Sequence, residues 1–97
     1  MPMAEDWTFF EPQDRLSIAP SEPLLVFLNG NTDRRVRISM RHQKRPDSRV
    51  LQVLLTAART WADCNLGFDV SDLPPRLVQD FNRLGLTAEN TEWSGLK

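Results

Sequence analysis

The chain has 97 residues, 40% of them hydrophobic and 26% charged, with a net charge of −1, the size and balance of one soluble globular domain. Neither that charge nor any apolar run approaching the ~20 residues of a bilayer span points to a nucleic acid or a membrane as partner. One cysteine, Cys64, rules out an internal disulfide and a spaced zinc site, and the acidic start has no apolar run of signal length, so a cytoplasmic protein is expected.

In chain order, Trp7, Thr8, Phe9 and Phe10 are strand formers stopped by Glu11 and Pro12. Leu16 and Ile18 flank Ser17 in a short alternating piece that Pro20 ends. Ser21 has the character of a helix N-cap, with Glu22 and Pro23 in the first turn, Leu24, Leu25, Phe27 and Leu28 as the buried face, and Gly30 as the stop. A helix of about two turns does not stand alone, so it must dock.

Val36, Ile38 and Met40 alternate with Arg35, Arg37, Ser39 and Arg41, which predicts a strand with one apolar face and one basic, wet face. After the loop 42–47, Leu51, Leu54, Leu55, Ala58, Trp61 and Ala62 recur at helical spacing, with Arg49, Gln52, Thr56, Arg59 and Asp63 opposite them. Leu66, Phe68 and Val70 alternate as another strand. Residues 71–75 then open a second long helix carrying Leu77, Val78, Phe81 and Leu84, and Gly85 closes it. Residues 87–97 form a polar tail with Trp93 as its anchor.

The order strand, helix, strand, helix, strand, helix predicts an α/β fold: a mostly parallel or mixed sheet of about four strands with right-handed crossovers. Strands polar on one side place the helices mainly on one face, since a doubly wound sheet needs strands apolar on both. The whole chain reads as a single domain, with its core over residues 7–86.

Catalytic material is sparse. His42 sits among basic residues that discourage a charged imidazole, Cys64 has no base beside it, and the four glycines are scattered, so no phosphate-cradling loop appears. No enzyme, cofactor or metal is expected. Seven basic residues between 34 and 49 (Arg34, Arg35, Arg37, Arg41, Lys44, Arg45, Arg49) stand against Asp47 alone. Such a cluster can hold phosphate groups, but without interleaved aromatics it argues against a nucleic acid. Asp47 or Ser48 caps the long helix, a contribution of about 1 kcal/mol, and the capping residue is displayed at the positive end of the helix dipole.

The residues from 36 to 86 resemble the STAS domain, the fold of anti-sigma factor antagonists and of the cytoplasmic tails of sulfate transporters. The strand Val36-Arg-Ile-Ser-Met40, the loop ending in Asp47-Ser48, the helix with Leu51-Gln52-Val53-Leu54-Leu55, Ala57-Ala58 and Trp61, the strand Phe68-Asp-Val70 and Leu84-Gly85-Leu86 carry the likeness. Residues 14–18 resemble the segment that leads from a first strand into the first helix. The resemblance implies a regulatory protein–protein module, an anti-anti-sigma factor in signal transduction and transcriptional regulation of bacterial type. Ser48 is then the phosphoacceptor of a partner kinase with anti-sigma activity. Where the family follows the acceptor with a small residue and a glycine, this chain has Arg49 and Val50, which fill that space and add charge.

The docking surface implied runs from the loop starting at Gln13, with Asp14, Arg15 and Ser17, through Arg45, Asp47 and Ser48 to Arg49 and Gln52. A STAS-type module that binds a nucleotide or anion through the 34–49 arginines, and a scaffold in which Ser48 stays unmodified, are the other readings. The N-terminal part is short for the family, and an uncovered strand edge is a route to a homodimer.

Overall fold

The computed structural model describes residues 7–13, 23–44 and 48–97, with Ser48 described by its backbone alone. β1 (Thr8–Phe10), α1 (Pro23–Gly30), β2 (Val36–Ser39), α2 (Ser48–Asp63), β3 (Phe68–Ser71) and α3 (Pro75–Arg83) alternate as expected, followed by α4 (Ala88–Thr91) and a 3-10 turn (Ser94–Leu96). The strands are parallel in the order β1-β2-β3. The fold is therefore α/β with a parallel sheet, of three strands among the described residues where about four were expected. The alternating piece at residues 16–18 and the cap expected at Ser21 lie outside the described residues.

Strands that advance in one direction through right-handed crossovers put their helices on one face. The contacts agree: Phe10 of β1 stacks on Phe27 of α1 with centroids 4.7 Å apart, and Phe68 of β3 meets Trp61 of α2 at 5.8 Å. Val36, Ile38 and Val70 share that face and are fully buried. Leu24 and Leu28 of α1 are buried in the same core cluster. Each such side chain contributes about 1.5–3 kcal/mol by leaving water. The Trp61 indole N–H donates to the Arg34 carbonyl at 2.7 Å, so the large ring enters the core with its polar atom satisfied.

The buried stripe of α2 is Val50, Leu51, Leu54, Ala57 and Trp61. This is slightly rotated from the expected stripe: Leu55 and Ala58 are half-buried and Ala62 is exposed. The expected outer residues Arg49, Gln52, Thr56, Arg59 and Asp63 are all exposed. On α3, Leu77 and Phe81 are buried, whereas Leu84, past the end of the helix, is 62% exposed.

The second face of the sheet is not simply wet. Phe9, Arg37 and Asp69 lie in register across the three strands. The Arg37 Nε donates to Asp69 Oδ2 at 2.9 Å, and its guanidinium stacks 4.7 Å from the centre of the Trp7 ring. Ser39, expected on the exposed side, is fully buried. The segment after Leu86 lies along β3. Trp93 is 1% exposed and packs on Phe68 and Phe81. Ser94 donates from both its backbone N–H and its Oγ to Asp69, each at 2.6 Å. Gly95 lies so close to β3 that a Cβ there would sit 2.9 Å from the Val70 carbonyl oxygen.

Candidate functional site

In an open parallel sheet, the strands aim their carboxyl ends at a crevice formed by the loops that follow. Here those loops supply Gln13 after β1, Arg41, His42, Gln43 and Lys44 after β2, and Pro74 after β3, and the first turn of α3 adds Arg76, lining a cleft of about 520 Å³. Four of the seven residues are basic or imidazole-bearing. The cleft also lies at the end of the sheet where α2 and α3 begin, and helix N-termini carry positive potential and free N–H donors. α3 starts behind Pro74 with no side-chain cap on those donors.

The walls are held by hydrogen bonds. The Met40 N–H donates to the Ser71 carbonyl at 2.9 Å, extending β2 toward β3, and the Gln43 N–H closes a turn on the Met40 carbonyl at 3.0 Å. The Gln43 side chain is 2% exposed and reaches the Pro12 carbonyl at 3.4 Å. His42 Nε2 meets Glu11 Oε2 at 2.9 Å. His42 is thus an exposed loop histidine with an acidic partner, where the sequence indicated only basic neighbours. The 41–44 loop is pinned to the segment after β1 on one side and to β3 on the other.

Asp72 is the hub on the β3 side. Its backbone adopts φ 57°, a left-handed conformation that aspartate tolerates better than most residues. Its carboxylate accepts from Ser39 Oγ at 2.9 Å and Ser71 Oγ at 3.3 Å and faces Arg41 at 3.7 Å. The Ser39 hydrogen bond chiefly holds the carboxyl below its ordinary pKa; Arg41 and Ser71 add to this, and partial burial opposes it. A depressed pKa in the folded state gives stability that is fully present above the ordinary aspartate range, near 4, and lost as pH falls through the folded value. In urea titrations at stepped pH, Asp72→Asn is expected to be less stable than the parent at neutral pH. Its acid limb is expected to be flatter as pH falls through the ordinary aspartate range and below it, where the parent loses the stability held by the depressed carboxyl.

Of the residues expected at a docking surface, Arg49 and Gln52 are exposed on the first turns of α2. Asp14, Arg15, Ser17, Arg45, Asp47 and the Ser48 side chain lie outside the described residues. α2 begins at Ser48, so the run after it is helical as expected. The basic cluster of the sequence divides between two ends of β2. Arg35 and Arg37 sit over Trp7, while Arg41 and Lys44 face the cleft. At ~3.3 Å per residue, about 20 Å of chain separates Arg35 from Arg41.

Arg76 and Asp72 were not expected at the site; their one sequence signal is their place just after a predicted strand of a parallel sheet. No carboxylate among the described residues pairs with Lys44 or Arg76. Among the described residues there is no group of three His, Cys, Asp or Glu able to hold a metal, and no helix long and apolar enough to cross a membrane. Cys64, just past α2, is exposed.

No family model, no curated protein and no solved structure matches the chain.

Proposed function

We propose that this chain is a non-enzymatic, cytoplasmic regulatory module of STAS type, which docks a signalling protein on the carboxyl-end surface of its sheet and is switched at Ser48. The partner is an anti-sigma factor with serine-kinase activity or a protein of that class. The observation that carries this reading is the start of α2 at Ser48, four residues beyond Lys44 of the cationic cleft. A helix tip next to a basic concavity is where an added phosphate changes most: it brings about −1.5 to −2 charge to free N–H donors and neighbouring cations.

The chemistry of the cleft supports binding over catalysis. The one histidine is engaged by Glu11, and Asp72 is held as a weakly basic carboxylate by its serine donors and Arg41. A partner selected for a neutral serine loses about 1–3 kcal/mol of coupling on phosphorylation, a 5- to 150-fold change in affinity. The test uses a partner captured with the full chain and measures its Kd against wild type, Ser48→Ala and Ser48→Asp. Wild type and Ser48→Ala are expected to bind alike and Ser48→Asp more weakly by ~5-fold or more. Equal affinities across the three defeat the switch.

A second reading rests on Lys44 and Arg76, whose charges no described carboxylate offsets. In this reading the cleft itself holds the phosphate group of a nucleotide or a free phosphate ion, with Arg41 beside them. Exposed cations facing one concavity repel each other, and a bound dianion relieves that repulsion.

A further inference from the structure

We propose that the hollow beside the start of β3 binds a small zwitterion with an apolar body: an α-amino acid with an aromatic or aliphatic side chain. The hollow has a volume of about 440 Å³, in the range that suits a small molecule. Every residue lining it is described, and it shares none of them with the carboxyl-end cleft, so this site is independent of the docking surface.

Four charged side chains line the hollow, two of each sign. Arg37 and Asp69 pair with each other at 2.9 Å, and Asp69 also accepts both Ser94 bonds, so these two are spent on the wall. Glu92 and Lys97 are exposed, and neither forms an ion pair with the other or with any described residue. A carboxylate and an ammonium left open in one hollow complement a ligand that carries both charges and is neutral overall. An anion alone would meet the Glu92 carboxylate there, and a cation alone the Lys97 ammonium.

The rest of the lining gives space and ring surface to the apolar body. Ala58 and Ala62 of α2 leave room that larger side chains would fill. Phe68 and Trp93 pack together on the β3 side. Trp7 reaches over from β1, and its ring runs so close to β3 that a Cβ on Gly67 would sit 2.6 Å from the Trp7 Cη2. The Arg35 and Arg37 guanidiniums hold that ring, 5.7 and 4.7 Å from its centre. The walls are therefore set before a ligand arrives, which lowers the ordering cost of binding.

Calorimetric titration of the full chain with L-phenylalanine tests this, with backbone amide NMR shifts to locate the ligand. Phenethylamine lacks the carboxylate, 3-phenylpropionate lacks the ammonium, and glycine lacks the apolar body. L-Phenylalanine is expected to bind with a Kd of about 1 mM or tighter. Each of the three analogues is expected to bind at least roughly 3-fold more weakly, and Glu92→Gln and Lys97→Ala to weaken L-phenylalanine by a similar factor. The amides of Phe68, Glu92 and Ser94 are expected to shift. Ala62→Phe, at an exposed position, fills the hollow and is expected to abolish binding. Circular dichroism shows whether each variant keeps its fold, and the analogue series on the wild-type chain stands without any of them. The proposal is overturned by no binding at millimolar L-phenylalanine, or by an analogue with one charge missing that binds as tightly. It is also overturned by folded Glu92→Gln and Lys97→Ala variants that bind like the parent, or by shifts confined to the cleft around Lys44 and Arg76.

Discussion

Trp93→Ala is expected to lose about 3–5 kcal/mol of folding stability, the cost of emptying a large aromatic from a closed core. A domain of this size holds ~5–15 kcal/mol in total and shifts its Tm by roughly 4–8 °C per kcal/mol, so the variant melts more than about 10 °C below the parent. Trp93 is 1% exposed and wedged between Phe68 of β3 and Phe81 of α3, at 6.2 and 6.4 Å between ring centres. Its loss also loosens the next residue, Ser94, whose two bonds satisfy the buried Asp69 carboxylate that holds Arg37 over Trp7. Leu84→Ala is the control. That side chain is 62% exposed, and its removal is expected to change stability by no more than about 0.5 kcal/mol. Similar melting of the two variants would mean that residues 87–97 merely decorate the domain.

Trp93 also marks the limit of what periodicity reveals. A single tryptophan in a polar tail reads as an anchor, but nothing around it repeats at 2 or 3.6 residues, so its binding place could not be read. Once β3 is seen to be an edge strand, the tail has a surface to cover. The six alternating elements from β1 to α3 were legible because each buries one face, as Val36 and Ile38 do on β2 and Leu54 and Trp61 do on α2. The rotation of the α2 stripe toward Val50 and Ala57 was not legible. Apolar residues surround those positions in sequence, and the choice among them is made by what β2 and β3 present.

The candidate site was legible only in part. The loop after β2 and the head of α2 stood out through their charge and the Asp47-Ser48 pair. Gln13, Arg41 and Arg76 are distant in sequence and meet only because three parallel strands end together. The long arginine run, conversely, suggested one patch. The strand carries alternate residues to opposite faces and successive residues along its length, so Arg37 became a ligand of Asp69 and Arg41 a wall of the cleft.

If the cleft holds a phosphate group, ligand at ~100 times its Kd is expected to stabilise the fold by about 2.7 kcal/mol, raising Tm by about 10 °C or more. No phenylalanine or tryptophan lines the cleft, so recognition falls on the phosphate and not on a base. At matched saturation, inorganic phosphate, ATP and GTP should therefore give shifts of the same order. The cations are not equivalent. Arg41 already shares its charge with Asp72 at 3.7 Å, while Lys44 and Arg76 have no described carboxylate partner. Lys44→Ala and Arg76→Ala should each lower affinity more than Arg41→Ala does. The pair removed together should abolish the shift without unfolding the chain, since both side chains are exposed. Because the cations are exposed, the shift should also shrink as ionic strength rises past ~0.1 M, where the screening length falls to about 10 Å. A Tm unmoved by all three ligands, or a shift that survives loss of both Lys44 and Arg76, leaves the cleft as part of the docking surface alone.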